Sequence, residues 1–194
     1  MLVGYEANNA MRNSTELGDY SRDLIEQMAD KHVGDYRALL FSTRIKEEYS
    51  KYYSGSTNVS TYVPVGSATM LPSAWIRYKL NPLLQAEKVK VFHGLNEELP
   101  YGIEDNIKTV LTCYNPEKHN CNSLLDTLLW QRRMKYSFER ADVIVAVSEE
   151  VKKQIVSAGV SESKIVVIPG MTITDEIVNR YWEIYTKLDE EEED

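Results

Sequence analysis

Short β-branched or apolar runs that alternate with amphipathic stretches predict an α/β fold, a doubly wound and mainly parallel sheet of about seven strands flanked by helices. Two further observations support this. At 194 residues, 43% of them hydrophobic, the chain has ample material for the core of one α/β domain. The stretch ADVIVAVSEEVKKQIVSAGVSESKIVVIPG, residues 141 to 170, also reads without interruption as strand, helix and strand.

Strands are expected near Leu2 to Tyr5, Tyr36 to Ser42, Ser60 to Val65, Val89 to Phe92, Thr109 to Cys113, Val143 to Val147 and Lys164 to Ile168. The clearest helix places Leu17, Tyr20, Leu24, Ile25 and Met28 on one side and Asp19, Arg22, Asp23 and Gln27 on the other. Ser14 or Thr15 caps it. A second helix runs from about Ser73 to Ala86 and breaks or kinks at Pro82, whose ring cannot continue the hydrogen-bond ladder. A third, Ser123 to Arg140, sets Leu124, Leu125, Leu128, Leu129 and Phe138 against Arg132, Arg133 and Lys135. The loop Tyr49 to Thr57 reads as a flexible excursion. After Gly170, Thr174 caps a helix whose Ile177, Tyr181, Ile184, Tyr185 and Leu188 form one apolar stripe, and Trp182 also argues against leaving it in water. The chain thus divides into a domain over residues 1–170, a packing helix over 171–188 and an acidic disordered tail over 189–194.

Lys and Arg number 22 against 30 Asp and Glu, a formal charge of −8. Nucleic acid is therefore excluded as a partner, because gripping phosphate backbones requires clustered cations. No apolar run approaches the roughly 20 residues that span a bilayer, and MLVGYEANN has no leader pattern, so a cytoplasmic location is the default. The two cysteines, Cys113 and Cys121, suit a reducing compartment. With His119 they lack a short C-x-x-C pair, and a fourth ligand would come from as far as His93, so no metal site is assigned.

Four stretches, in order, carry a family resemblance: GYEANNAMRNSTELGDYSRDLIEQM from Gly4, VFHGLNEELPYGI from Val91, KTVLTCYNPE from Lys108, and ADVIVAVSEEVKKQIV with KIVVIPG. Together they resemble the N-terminal, acceptor-side, Rossmann-like domain of GT-B glycosyltransferases of family 4. The resemblance implies a retaining hexosyl transfer from a sugar nucleotide. It also implies a donor-binding domain that this chain lacks, so the chain alone is expected to be inactive and to need that domain as a partner polypeptide. A cofactor is expected only as the nucleotide-sugar donor of the complete enzyme. The other reading left open is a GT-B-derived module that binds a glycan or a protein without turnover. A cleft face left uncovered would favour a homodimer.

The resemblance places the loop at Leu17, Gly18 and Asp19 against the cleft, where a helix N-terminus offers oriented amides to an anion and Gly18 allows close approach. Gly18 alternatively relieves crowding where the helix meets the sheet. Arg12 is a further phosphate-contact candidate, whereas Arg132 and Arg133 fit a solvated helix face equally well. His93, followed by Gly94, falls at the carboxyl edge of the sheet, where open α/β folds bind ligands; it either orients an acceptor hydroxyl or is satisfied by neighbouring carbonyls. Glu97 and Glu98 either accept from sugar hydroxyls or form a solvated loop edge. Where many members of the resembled family end the next strand in histidine and aspartate, this chain has Cys113 and Tyr114, and neither replaces an imidazole that titrates near neutrality.

Overall fold

The computed structural model describes residues 1–53, 55–65, 72–116 and 123–191. Seven strands form one sheet in the order β3-β2-β1-β4-β5-β6-β7, every neighbouring pair parallel. The strands are β1 (Leu2–Glu6), β2 (Arg37–Phe41), β3 (Val59–Tyr62), β4 (Val91–Gly94), β5 (Lys108–Cys113), β6 (Val143–Ala146) and β7 (Ile165–Val167). The helices are α1 (Asn8–Arg12), α2 (Glu16–Lys31), α3 (Glu47–Ser50), α4 (Pro72–Lys79), α5 (Asn81–Ala86), α6 (Leu124–Arg140), α7 (Glu149–Ser157) and α8 (Asp175–Glu190). Strand order reverses direction between β1 and β4, and a doubly wound sheet opens a crevice at the carboxyl ends of two such strands.

Side chains alternate across the pleat, so each strand feeds two cores. Tyr5, Leu40, Val110 and Val145 pack with α2 and α8, while Phe41, Phe92, Leu111 and Ile144 pack with α5, α6 and α7. Helix starts follow the expected chemistry: Thr15, Ser123, Ser148 and Thr174 each accept a backbone N–H of their helix's first turn. Pro82 sits at the start of α5, where its missing N–H is harmless, and the expected break falls just before it, at Leu80.

Three expectations change. On α6 the buried residues are Met134, Ser137 and Phe138, whereas Leu124, Leu125, Leu128 and Leu129 are 81%, 65%, 57% and 46% exposed. The loop read as a flexible excursion is anchored instead: Tyr49 and Tyr53 are buried, and the Arg22 guanidinium lies 4.0 Å over the Tyr49 ring. Finally, α8 continues to Glu190, into the stretch read as disordered tail, while residues 192–194 lie outside the described residues.

The expected packing of the last helix is present, and its means are polar as well as apolar. Ile177, Val178, Tyr181, Tyr185 and Leu188 are buried, and Trp182 stacks on His32 at 3.9 Å between ring centroids. Beneath them runs a continuous hydrogen-bonded chain. Tyr36 donates to Tyr5 at 2.7 Å and Tyr5 to Tyr185 at 3.2 Å. Tyr185 meets His93 Nδ1 at 2.6 Å, and His93 Nε2 meets Thr112 at 2.7 Å. Thr112 and Tyr20 each lie 2.9 Å from Tyr181. Once Tyr185 has accepted from Tyr5 its own proton points to Nδ1, so Nε2 carries the imidazole hydrogen toward Thr112. A neutral ring satisfies every partner, and burial lowers its pKa to about 3.

Candidate functional site

The carboxyl ends of β1 and β4 lie side by side, with Glu6 in register with Gly94. Pleat alternation turns Glu6 away from α8, toward α4. There a cavity of about 120 Å³ is bounded by Glu6, Asn8, Arg77, Asn96 and Glu98. By the share a molecule takes in liquid water, roughly four waters would fill it.

Glu6 is 3% exposed. Its Oε1 accepts from the backbone and side-chain N–H groups of Asn8, while its Oε2 is buried with no partner among the described residues. Burial raises its pKa to about 8, against the opposing pull of the Asn8 bonds and with a smaller push from the Glu98 charge. At neutral pH the carboxyl is therefore mostly protonated, and it presents both a donor and an acceptor. Asn8 is fixed in turn: its Oδ1 accepts from Ser42 at 3.1 Å and from the amide and hydroxyl of Thr43 at 2.8 Å each. Asn9 bridges outward, donating to Asn96 at 3.1 Å and accepting from Asn13 at 2.7 Å. Across the cavity, Glu98 is held between Arg77 at 3.1 Å and Arg133 at 3.0 Å. Charges on three segments thus fix the rim, while amides and one neutral acid line the interior. Mixed donors and acceptors of this kind match the hydroxyls of a polyol.

The residues singled out from sequence do not converge on one open edge. The His93 ring is fully buried beneath α8 with both nitrogens occupied, so it does not face an acceptor; its partners are hydroxyls rather than carbonyls. The reason is geometric. Position 93 points to the face that α8 covers, and Gly94 ends the strand. A Cβ on Gly94 would stand 2.6 Å from the Glu98 carbonyl oxygen, so this glycine permits the turn that carries Glu98 to the cavity. Gly18 is buried against its own chain. A Cβ there would lie 2.1 Å from the Asn13 carbonyl oxygen, and its amide already donates to Thr15 at 3.3 Å. Its close approach is to the end of α1 rather than to the sheet. Leu17 is half-buried and Asp19 exposed, with Asp19 paired to the buried Arg22. Glu97 accepts from the amides of Tyr114 and Asn115 at 2.7 Å each, tying its turn to the end of β5. Cys113 is buried, which pushes its thiol well up, and Tyr114 packs edge-on against Tyr20 at 5.7 Å. Arg12 donates to Thr43 at 2.7 Å at the exposed end of α1. His119 and Cys121 lie outside the described residues.

Glu98 alone of the sequence candidates lines the cavity; Glu6, Asn8, Arg77 and Asn96 were missed. The available signal was the charge that ends the apolar run LVGY and the two asparagines that follow one residue later. A larger cavity of about 850 Å³ lies between α6 and α7, lined largely by Trp130, Met134, Phe138 and Val160. It has no buried ionisable group, so the small polar cavity is the better candidate for directed chemistry.

Several solved structures share the fold. HepE of Anabaena, solved with UDP and glucose, superposes with a TM-score of 0.54 at 13% identity, over 87% of this chain and 44% of its own. The UDP-GlcNAc 2-epimerase of Neisseria meningitidis bound to UDP-GlcNAc gives 0.56 at 11%, over 98% and 52%. The UDP-N-acetylglucosamine 2-epimerase of Rickettsia bellii gives 0.52 at 14%, over 94% and 47%. The chain therefore spans about half the length of these proteins, and at such identities the likeness is one of fold. No curated protein matches by sequence. The family profile described as Glycosyltransferase Family 4 matches residues 20–176, from α2 into the start of α8, and the chain belongs to that family.

Proposed function

We propose that this domain is the acceptor-binding half of a glycosyltransferase and that the cavity between β1 and β4 holds a hydroxyl of the sugar or glycan that receives a hexosyl group. The observation that carries this is the unpaired Oε2 of Glu6, buried and facing a cavity whose other polar groups are already fixed. A buried oxygen without a partner costs about 1–3 kcal/mol, and a ligand hydroxyl would recover that. The neutral acid can take either role in such a bond, and Asn8 and Asn96 can complete the set. Donor binding we assign to a second lobe, on another polypeptide or in further sequence, because the solved relatives are about twice as long. Two of those relatives were solved with UDP and glucose or with UDP-GlcNAc, which supports a nucleotide sugar as the donor class, and on this reading the domain is inactive without that lobe.

A second reading, a glycan-binding module without turnover, draws on the end of β5. Cys113 is buried and Tyr114 is packed on Tyr20, so neither supplies a base that titrates near neutrality. One experiment addresses both readings. A glycan array and calorimetry of the wild type and Glu6→Gln identify the acceptor class, and activity is then assayed with the matching donor lobe added. Loss of glycan binding in Glu6→Gln supports the cavity as the site. Binding unaffected by that change refutes it, and turnover with the lobe present decides for catalysis over mere recognition.

A further inference from the structure

We propose that three tyrosines beside the cavity, Tyr78, Tyr101 and Tyr136, form a second sugar subsite, so that the acceptor is an oligosaccharide: its terminal unit enters the cavity and its next unit lies on the rings. The inference rests on the cavity as the acceptor site and names the class of acceptor it takes. Each of the three segments that build the cavity rim contributes one ring. On α4, Arg77 is followed by Tyr78; in the turn after β4, Glu98 and Pro100 are followed by Tyr101. On α6, Tyr136 stands three positions after Arg133, the partner of Glu98, and so shares its side of the helix. Rim and rings are therefore neighbours on every segment.

The rings are held in place before any ligand arrives. Tyr78 and Tyr101 stack with planes 10° apart and centroids at 5.3 Å, and Tyr136 supports Tyr101 at 4.4 Å and 42°. The Tyr136 hydroxyl donates to the Pro100 carbonyl at 3.2 Å and accepts from the Gly102 amide at 3.0 Å. The Tyr101 amide donates to the Arg77 carbonyl at 2.8 Å, which ties two of the segments together at the rim. One face of Tyr78 lies against Tyr101, and the residue is still 59% exposed, so its other face is open. A platform fixed in this way spares a ligand the entropy of ordering it.

An open aromatic face beside a cavity of amides and one neutral acid suits a pyranose. The C–H groups on one side of a sugar ring are apolar and slightly positive, which matches the negative face of a phenol ring. Its hydroxyls need polar partners round the edge. Asn81 and Glu104 follow Tyr78 and Tyr101 by three positions and meet at 3.2 Å on the surface, with donors and lone pairs to spare. Three rings give too little area for a stable protein partner, which needs on the order of 800 Å² from each side.

The test is an array of one- to four-unit glucosides, galactosides, mannosides and N-acetylglucosaminides probed with the full chain, followed by calorimetry with the best-bound sugars. Two-unit and longer glycans should bind the wild type more tightly than single units. Tyr78→Ala should weaken the longer glycans by roughly three- to tenfold and leave single units unchanged. Tyr78→Leu, which keeps the bulk without the flat face, should behave as Tyr78→Ala does, and Tyr78→Phe should match the wild type. Single units bound as tightly as longer glycans, and lost in Glu6→Gln, overturn this proposal while the cavity reading stands. Longer glycans that Tyr78→Ala and Tyr78→Leu bind as the wild type does overturn it as well. Longer glycans weakened by Tyr78→Ala but not by Glu6→Gln support the rings as a sugar site and overturn the cavity reading instead. Silence across the array overturns both.

Discussion

Replacing Glu6 with glutamine should change how stability responds to pH, and the magnitude follows from its burial. The folded carboxyl holds its proton up to about pH 8, whereas the same group in the unfolded chain ionises above about 4.5. Between these limits unfolding releases a proton, so stability falls as pH rises, by about 1.4 kcal/mol per unit. By pH 7 the loss attributable to Glu6 is about 3 kcal/mol. His93 acts in the opposite sense. It stays neutral in the fold down to about pH 3, while the unfolded ring gains a proton below about 6.5, so stability rises with pH across that window. The two slopes offset each other from pH 4.5 to 6.5, and above 6.5 only the Glu6 slope remains. These two groups together should therefore contribute little slope from pH 4.5 to 6.5 and a loss of about 2 kcal/mol between pH 6.5 and 8. Glu6→Gln keeps the acceptor for Asn8 and removes the titration. Urea unfolding of both proteins at pH 5, 6, 7 and 8 isolates the effect, since shared groups cancel in the difference. That difference should move by about 4 kcal/mol in favour of the variant between pH 5 and 8. A difference constant to within about 1 kcal/mol would show that Glu6 is solvated in the fold and would remove the basis for a neutral acid in the cavity.

Gly18→Ala should cost at least about 1–3 kcal/mol, because its methyl would meet the Asn13 carbonyl carbon and oxygen, and backbone cannot rotate aside; an unchanged thermal midpoint would refute the packing described for α1 and α2. Tyr185→Phe should cost about 1–3 kcal/mol by leaving His93 Nδ1 without its donor, and nitrogen chemical shifts of the imidazole should report the altered hydrogen bond. Wild-type shifts of a neutral Nε2–H ring at pH 5 are the companion expectation. Thr174→Ala should lower stability by about 1 kcal/mol through loss of the α8 cap, measured by urea titration, whereas Thr174→Ser should be nearly silent.

The layered architecture was readable because the parallel strands are buried on both faces and stand out as apolar runs, and because capping residues mark most helix starts. All seven strands fall where the runs do, and Pro82 locates a real boundary. Side-chain direction was not readable with the same ease. His93 lies near the end of its strand, but whether its ring faces solvent depends on α8, which arrives about ninety positions later. The leucines of α6 misled because hydrophobicity alone does not say which side of a helix meets the sheet; here Met134 and Phe138 do, with Ser137 accepting the Leu99 amide at 2.9 Å. The cavity was hardest of all. It assembles from β1, α4 and the turn after β4, and only the packed fold reveals that one oxygen of Glu6 has been left over.

A ribosome releases this polypeptide from its amino end, and the polar seam under α8 sets when the nascent chain can finish. The His93 imidazole waits for a phenol 92 positions downstream, and Tyr5 waits for the same group across 180. Until those residues leave the exit tunnel, one side of the sheet holds apolar strands and unpaired hydroxyls with only α2 over much of it. Apolar strand surface is thus exposed until α8 has emerged and docked, and a chain without α8 would keep it exposed.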